Sequence, residues 1–130
     1  MILDTALLVA AERRRVELAS LLRPEDDLAI AAITAAELLV GVELASEEHR
    51  ERRRQYVEGV LGALVVEEYD LDVARAHARL LSHTKRTGRA RGALDLIIAA
   101  TALARGRTVV TAGAAGFVDL PDVEVRAEMQ

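Results

Sequence analysis

Asp95 is followed by Leu96-Ile97-Ile98-Ala99-Ala100-Thr101-Ala102-Leu103-Ala104, nine residues of which only Thr101 is polar, and Gly106 closes the run. The residue types and the terminal glycine read as a helix, and a helix that is apolar on nearly every face has to be deeply buried. Shorter apolar runs of strand length surround it: Ile2-Leu3, Leu28 to Ile33, Leu64 to Val66, Thr108 to Thr111 and Val123 to Val125. Leu28 to Ile33 is apolar throughout, as expected of a strand covered on both faces.

Segments with helical spacing separate these runs. They are Thr5 to Ala11, Arg13 to Leu22 (stopped by Pro24-Glu25-Asp26-Asp27), Thr34 to Ala45, Glu47 to Leu61 with Ser46 as its cap, and a helix from Asp70 or Asp72 through His83. A Gly-containing loop, Thr84 to Gly92, then leads to Asp95, which opens the buried helix. Strands alternating with helices predict a three-layer α/β/α sandwich on a mostly parallel sheet. The 130 residues suit one domain, 1–130, with the charged stretch 126–130 as a frayed tail. Aromatic residues make up only 2% of the chain against 52% hydrophobic, so small aliphatic side chains must fill the core.

Several function classes drop out. The absence of Cys removes disulfides, thiolate metal sites and cysteine nucleophiles, and favours a reducing compartment. No run approaches the roughly 20 apolar residues of a membrane span, and Ile2-Leu3-Asp4 replaces a basic leader, so the expectation is a cytoplasmic protein without membrane attachment. His49, His77 and His83 lack metal-triad spacing, and Ser20, Ser46 and Ser82 sit in no nucleophile elbow. A phosphoaspartate chemistry would need a second acid beside Asp4, where Thr5-Ala6 stands.

In open α/β sheets ligands sit beyond the carboxyl ends of the strands. Asp4 follows the first strand, Glu37 lies one turn into the helix after the second, and Asp95 opens the buried helix. Each has a local reading. Asp4 and Asp95 serve as N-caps, and Thr34-Ala35-Ala36-Glu37 fits a capping box. Caps have no reason to converge on one sheet edge, however, and converging carboxylates repel unless a cation sits among them. Mg²⁺ or Mn²⁺, with its preference for oxygen ligands and retained waters, suits such a set and metal-assisted phosphodiester hydrolysis.

Ile-Leu-Asp-Thr at 2–5, Ile-Thr-Ala-Ala-Glu-Leu-Leu-Val-Gly-Val at 33–42, Gly-Ala-Leu-Asp-Leu-Ile-Ile-Ala-Ala-Thr-Ala-Leu at 92–103 and Val-Val-Thr at 109–111 resemble the PIN-domain ribonucleases, specifically VapC-type toxins, over essentially the whole chain. The resemblance implies a metal-dependent endoribonuclease that leaves a 5′-phosphate and a 3′-hydroxyl and is held inactive by a VapB-type antitoxin. It carries a metal-ligand role onto Asp4, Glu37 and Asp95, and places the hydroxyls of Thr5 and Thr111 beside them. Both hydroxyls also have a local reading, in capping or closing a turn.

One stretch departs from the family pattern. After the last core strand the family has Thr-x-Asp or Thr-x-Asn and often an acid before the Phe, whereas this chain reads Thr111-Ala112-Gly113-Ala114-Ala115-Gly116-Phe117. Gly113 takes the place of the fourth polar ligand and Gly116 that of the second acid. The alternative to an enzyme is therefore a PIN-fold module that binds antitoxin or RNA without cutting.

Formal net charge is −4, which taken alone argues against a nucleic-acid partner. The charge is segregated, though. No Asp or Glu occurs between Val73 and Leu94, where Arg75, Arg79, Lys85, Arg86, Arg89 and Arg91 give +6 and leave −10 for the remainder. Arg75 and Arg79 read as an ordinary solvated helix face, while Lys85, Arg86, Arg89 and Arg91 lead straight into Asp95 and suit RNA phosphates. With only Tyr56, Tyr69 and Phe117 available for stacking, recognition of a structured RNA such as a tRNA or an rRNA loop fits better than sequence-tolerant single-strand binding. The helical pair at 34–61, with Leu38, Leu39, Val42, Tyr56, Val57 and Val60, offers an apolar groove for an antitoxin helix and part of a homodimer face, against core packing as the plainer use.

Overall fold

The computed structural model describes residues 1–21 and 26–129. Five strands, β1 (Ile2–Leu3), β2 (Ala29–Ala31), β3 (Val65–Glu67), β4 (Val109–Thr111) and β5 (Val125–Ala127), form one sheet in the order β3-β2-β1-β4-β5. Every pairing is parallel: Ile2 stands opposite Ala29 and Val109, Ala31 opposite Glu67, and Thr111 opposite Ala127. Around the sheet lie α1 (Thr5–Arg13), α2 (Leu18–Leu21), α3 (Ala32–Glu43), α4 (Glu47–Ala63), α5 (Leu71–Thr87) and α6 (Ala93–Arg105), with a 3₁₀ turn at Ala114–Phe117.

Strand side chains alternate between faces, and this divides the core in two. Ile2, Ala31 and Val109 pack with Val73, Leu80, Leu96 and Ile98 of α5 and α6. Leu3, Ile30 and Val110 pack with Leu7 and Leu8 of α1, Leu38 and Val42 of α3, and Val57 and Val60 of α4. The result is the expected α/β/α sandwich. The apolar α6 is buried along most of its length, and its Thr101 hydroxyl is satisfied by donating to the Ile97 carbonyl at 2.8 Å.

Several boundaries differ from the sequence reading, each for a local reason. The predicted strand through Ile33 ends at Ala31, because three residues complete the ladder to β1 and β3 and Ile33 then packs against the α5/α6 side of the core. α3 therefore starts at Ala32 with Ala31 as N-cap, so Thr34 lies inside the helix and the capping box with Glu37 does not form. The helix expected from Arg13 to Leu22 breaks at Arg14 and Arg15, the latter at φ 53°, leaving only α2; Leu22, Pro24 and Glu25 fall outside the described residues.

α5 is longer than predicted. It runs through Lys85 and Arg86 to a left-handed Gly88 at φ 67°, where a side chain would be strained, and cations in its last turn complement the helix dipole. α6 starts at Ala93 with Gly92 as N-cap, which makes Asp95 the third helical residue rather than the cap. The last strand is shifted from Val123–Val125 to Val125–Ala127, and in the described part of the tail Glu128 N–H donates to the Thr111 carbonyl at 2.8 Å and Arg14 donates to the Met129 carbonyl at 3.2 Å. Among the described residues no helix is long and apolar enough to cross a membrane.

Candidate active site

Asp4 leaves β1 at its carboxyl end and is 2% exposed. As N-cap of α1 it accepts from the Leu7 N–H through Oδ1 at 2.8 Å, while its Oδ2 accepts from the Thr111 hydroxyl at the end of β4. Thr111 Oγ1 in turn accepts from the Gly113 N–H at 2.8 Å. The cap reading of Asp4 is thus realised on Oδ1, while Oδ2 is held by Thr111. Burial pushes its pKa up most, the Thr111 and Leu7 hydrogen bonds pull it down, and the carboxylates of Asp95 and Glu37 push it up again.

Glu37 sits in the second turn of α3 and accepts from the Thr5 hydroxyl at 2.7 Å; the same hydroxyl lies 3.2 Å from Thr34 Oγ1. Both predicted hydroxyls therefore hold site carboxylates, Thr5 on Glu37 and Thr111 on Asp4. Thr34, fully buried, is a neighbour the sequence reading assigned to a cap. Its signal was present in the periodicity, since a Thr one turn before Glu37 shares its helix face.

Asp95, half-buried in the first turn of α6, completes the set. Burial first, and then the Glu37 carboxylate, raise its pKa. Two glycines shape its seat: a Cβ on Gly116 would lie 2.6 Å from Asp95 Oδ2, and one on Gly92 would lie 3.3 Å from it. Gly113 differs. A Cβ there would meet only Thr111 Oγ1, at 4.0 Å, and its φ of −134° suits any residue. The departure from the family pattern therefore has two parts: at 116 a side chain would collide with an acid of the site, and at 113 the space stands open.

The three carboxylates thus lie within electrostatic reach of one another. Among the described residues no three carboxylate or imidazole groups are drawn to ligating distance of a common point, so the acids face each other without forming a closed cage. Their chemistry fits a hard divalent cation, which would offset both the burial and the lesser mutual repulsion that raise Asp4 and Asp95.

The predicted cations lie around the turn into α6, and half of the six are engaged by one segment. Arg89 pairs with Asp119, Arg91 donates to the Val118 carbonyl at 2.6 Å, and Arg79 pairs with Asp122 at 3.4 Å. Among the described residues Arg75, Lys85 and Arg86 make no such contact. Sequence reading missed this segment because Asp119 and Asp122 reach it only through backbone turns at φ 66° and 65°.

Of the proposed apolar groove only the α4 side remains, through Tyr56 and the edge of Val60. Leu38, Val42, Val57 and Val60 are buried in the core and Tyr56 donates to the Leu8 carbonyl at 2.6 Å. A groove of about 1140 Å³ lies instead between the α1–α2 connection and α4, with Val16, Leu18, Leu28, Tyr56 and Leu64 on its walls and Arg13, Arg15, Arg52 and Arg53 around it.

Comparison with known proteins follows the same pattern. The family profile described as PIN domain matches residues 1–122. Ribonuclease VapC5 of Mycobacterium tuberculosis is 38% identical over 111 residues, covering 85% of this chain and 80% of that protein. The VapC ribonuclease Y4jK of Sinorhizobium fredii is 40% identical over 98 residues, 71% of this chain and 69% of its own. Among solved structures, the DNA-bound VapBC of Salmonella typhimurium superposes with a TM-score of 0.80 at 28% identity, covering 97% of this chain and 96% of that one.

Proposed function

The chain belongs to the PIN-domain family, among the VapC ribonucleases, and from that premise we propose that it is a divalent-metal-dependent endoribonuclease toxin neutralised by a VapB-type antitoxin. The observation that carries this reading is the convergence of Asp4, Glu37 and Asp95 at the carboxyl ends of β1 and β2 and the first turn of α6. Asp4, Glu37 and Asp95 would hold Mg²⁺ or Mn²⁺, which when bound supplies a Lewis acid for the phosphoryl oxygen and a more acidic water.

The chain's own groups prepare that site. Thr111 and the Leu7 N–H fix both oxygens of Asp4, and Thr5 fixes one oxygen of Glu37, so each of these acids keeps its orientation before any ligand arrives. Both hydroxyl protons are spent on carboxylates, so neither is free to donate to an anion. Lys85 and Arg86 on the last turn of α5, with Arg89 and Arg91 beyond it, would bind RNA phosphates on the approach to Asp95. The products of hydrolysis are then a 5′-phosphate and a 3′-hydroxyl.

We assign the antitoxin to the groove beside α4, where Arg53 is already paired with Glu12 but Arg13, Arg15 and Arg52 outnumber Glu17 around apolar walls, an arrangement that suits an amphipathic segment with acidic flanks. The exposed Leu39, Val40 and Leu44 of α3 are our candidate homodimer face. A second reading, a PIN-fold module that binds RNA without cutting it, is favoured by Gly113 alone, since a three-acid site holds a second cation poorly. Incubation of the purified protein with a structured RNA and Mn²⁺, beside Asp4→Asn, separates the two. Cleavage that disappears in the variant supports the enzyme, and binding without cleavage by either protein supports the module.

A further inference from the structure

One cationic face of α5 borders a cleft that shares only Arg86 with the phosphate approach assigned above. Arg79, Ser82, His83 and Arg86 stand at i, i+3, i+4 and i+7 and so share a helix face, and with Pro121 opposite they border about 520 Å³ of open space. From Val73 to Thr87 the helix carries no Asp or Glu. Among the described residues the side chains of Ser82 and Arg86 make no hydrogen bond or ion pair, whereas Arg79 is held beside Pro121 by Asp122 at 3.4 Å.

We propose that this cleft binds a phosphate of the RNA backbone outside the scissile position, an inference that rests on the ribonuclease reading. Two guanidinium groups, a hydroxyl and an imidazole offer the donors that a phosphate oxygen accepts from, and guanidinium forks match phosphate geometry. Residues 88–92 connect the last turn of α5 to the first turn of α6, so the cleft lies on the helix that leads into the turn carrying Asp95. None of Asp4, Glu37 and Asp95 lines the cleft, which assigns it to a phosphate other than the reacting one. Asp122 is the internal competitor: its carboxylate holds the guanidinium that the phosphate takes over.

The two walls of the cleft give effects of opposite sign. Affinity for a structured RNA is measured without divalent metal across a salt series, so that cleavage does not intrude. The double variant Ser82→Ala/Arg86→Ala binds roughly 5- to 10-fold more weakly, and the slope of log affinity against log salt falls by about 0.7 in magnitude, because one phosphate is no longer neutralised by the protein. Asp122→Asn, which frees Arg79, binds several-fold more tightly, with both variants melting at the wild-type temperature. Equal affinity and salt slope in all three proteins overturns the cleft, and the ribonuclease reading stands if Mn²⁺-dependent cleavage persists in the wild type. Weaker binding by both variants together with lower melting temperatures assigns the residues to folding and overturns it as well. A wild type that neither binds nor cleaves RNA removes the premise itself.

Discussion

The two ends of α6 treat acids in opposite ways. In its first turn Asp95 faces Glu37 and Asp4, and the pKa values of Asp95 and Asp4 are raised by burial and by these neighbours. At its last residue, about 15 Å further along the helix, Arg105 meets Glu67 at 2.8 Å and Asp70 at 2.7 Å. Arg107 then meets Glu67 at 3.0 Å and Asp27 at 3.2 Å and donates to the Asp27 carbonyl. Asp70 is accordingly lowered, first by the Val73 N–H and then by Arg105. A chain that neutralises its acids so fully at one end has left three facing each other at the other, and the contrast supports the proposed cation seat at the first end.

The largest expected effect breaks the unpaired end. Asp95→Asn should lower Mn²⁺-dependent RNA cleavage by at least about 100-fold, in the range seen when a charge-stabilising group leaves an active site, while the metal-free protein melts no lower than wild type, because a repulsive charge has gone. At the paired end the pattern reverses. Arg107→Ala leaves the half-buried Glu67 with Arg105 alone and opens the Met1 and Asp27 contacts, so stability should fall by about 1 kcal/mol in urea titrations, with the cleavage rate of the folded protein retained.

The glycines sharpen the comparison further. Gly113→Asp has room for its Cβ and adds an acid beside Thr111, so Mn²⁺ affinity should rise about tenfold by calorimetry. Gly116→Asp, which drives a Cβ into Asp95 Oδ2, should lower it. The smallest effect is in pH dependence without metal. A carboxyl whose folded pKa is raised contributes stability while protonated and loses that contribution as pH rises from the ordinary carboxylate range through the raised value. Asp70, lowered, does the reverse and loses its contribution as pH falls. Thermal melts from acid to neutral pH should therefore show wild type losing stability relative to Asp95→Asn as pH rises, and added Mg²⁺ should remove the difference.

Much of this was legible in the sequence, because it rests on local pattern. The apolar α6, the short strand runs and the acids after the first two strands placed the sandwich and brought Asp4, Glu37 and Asp95 to one edge. What failed depended on contacts between distant residues. Thr34 read as a cap because Glu37 stands three residues later, yet packing of Ile33 pulled the helix start back to Ala32. The Arg105 and Arg107 network, the Val118 to Asp122 segment on the cations and the seat that Gly92 and Gly116 leave for Asp95 are tertiary facts with no periodic signature. Leu38, Val42, Val57 and Val60 show the converse, an apolar stripe equally suited to a partner and a core, which the sheet claimed.

The central claim, that the first turn of α6 and the acids facing it form a seat for one divalent cation, is tested most directly by titrating Mn²⁺ into metal-free wild type and Asp95→Asn in a calorimeter. The account predicts saturable binding of one Mn²⁺ per chain in wild type and its loss, or a weakening of at least tenfold, in the variant. Equal affinity in the two proteins, or no binding in the wild type, would contradict it.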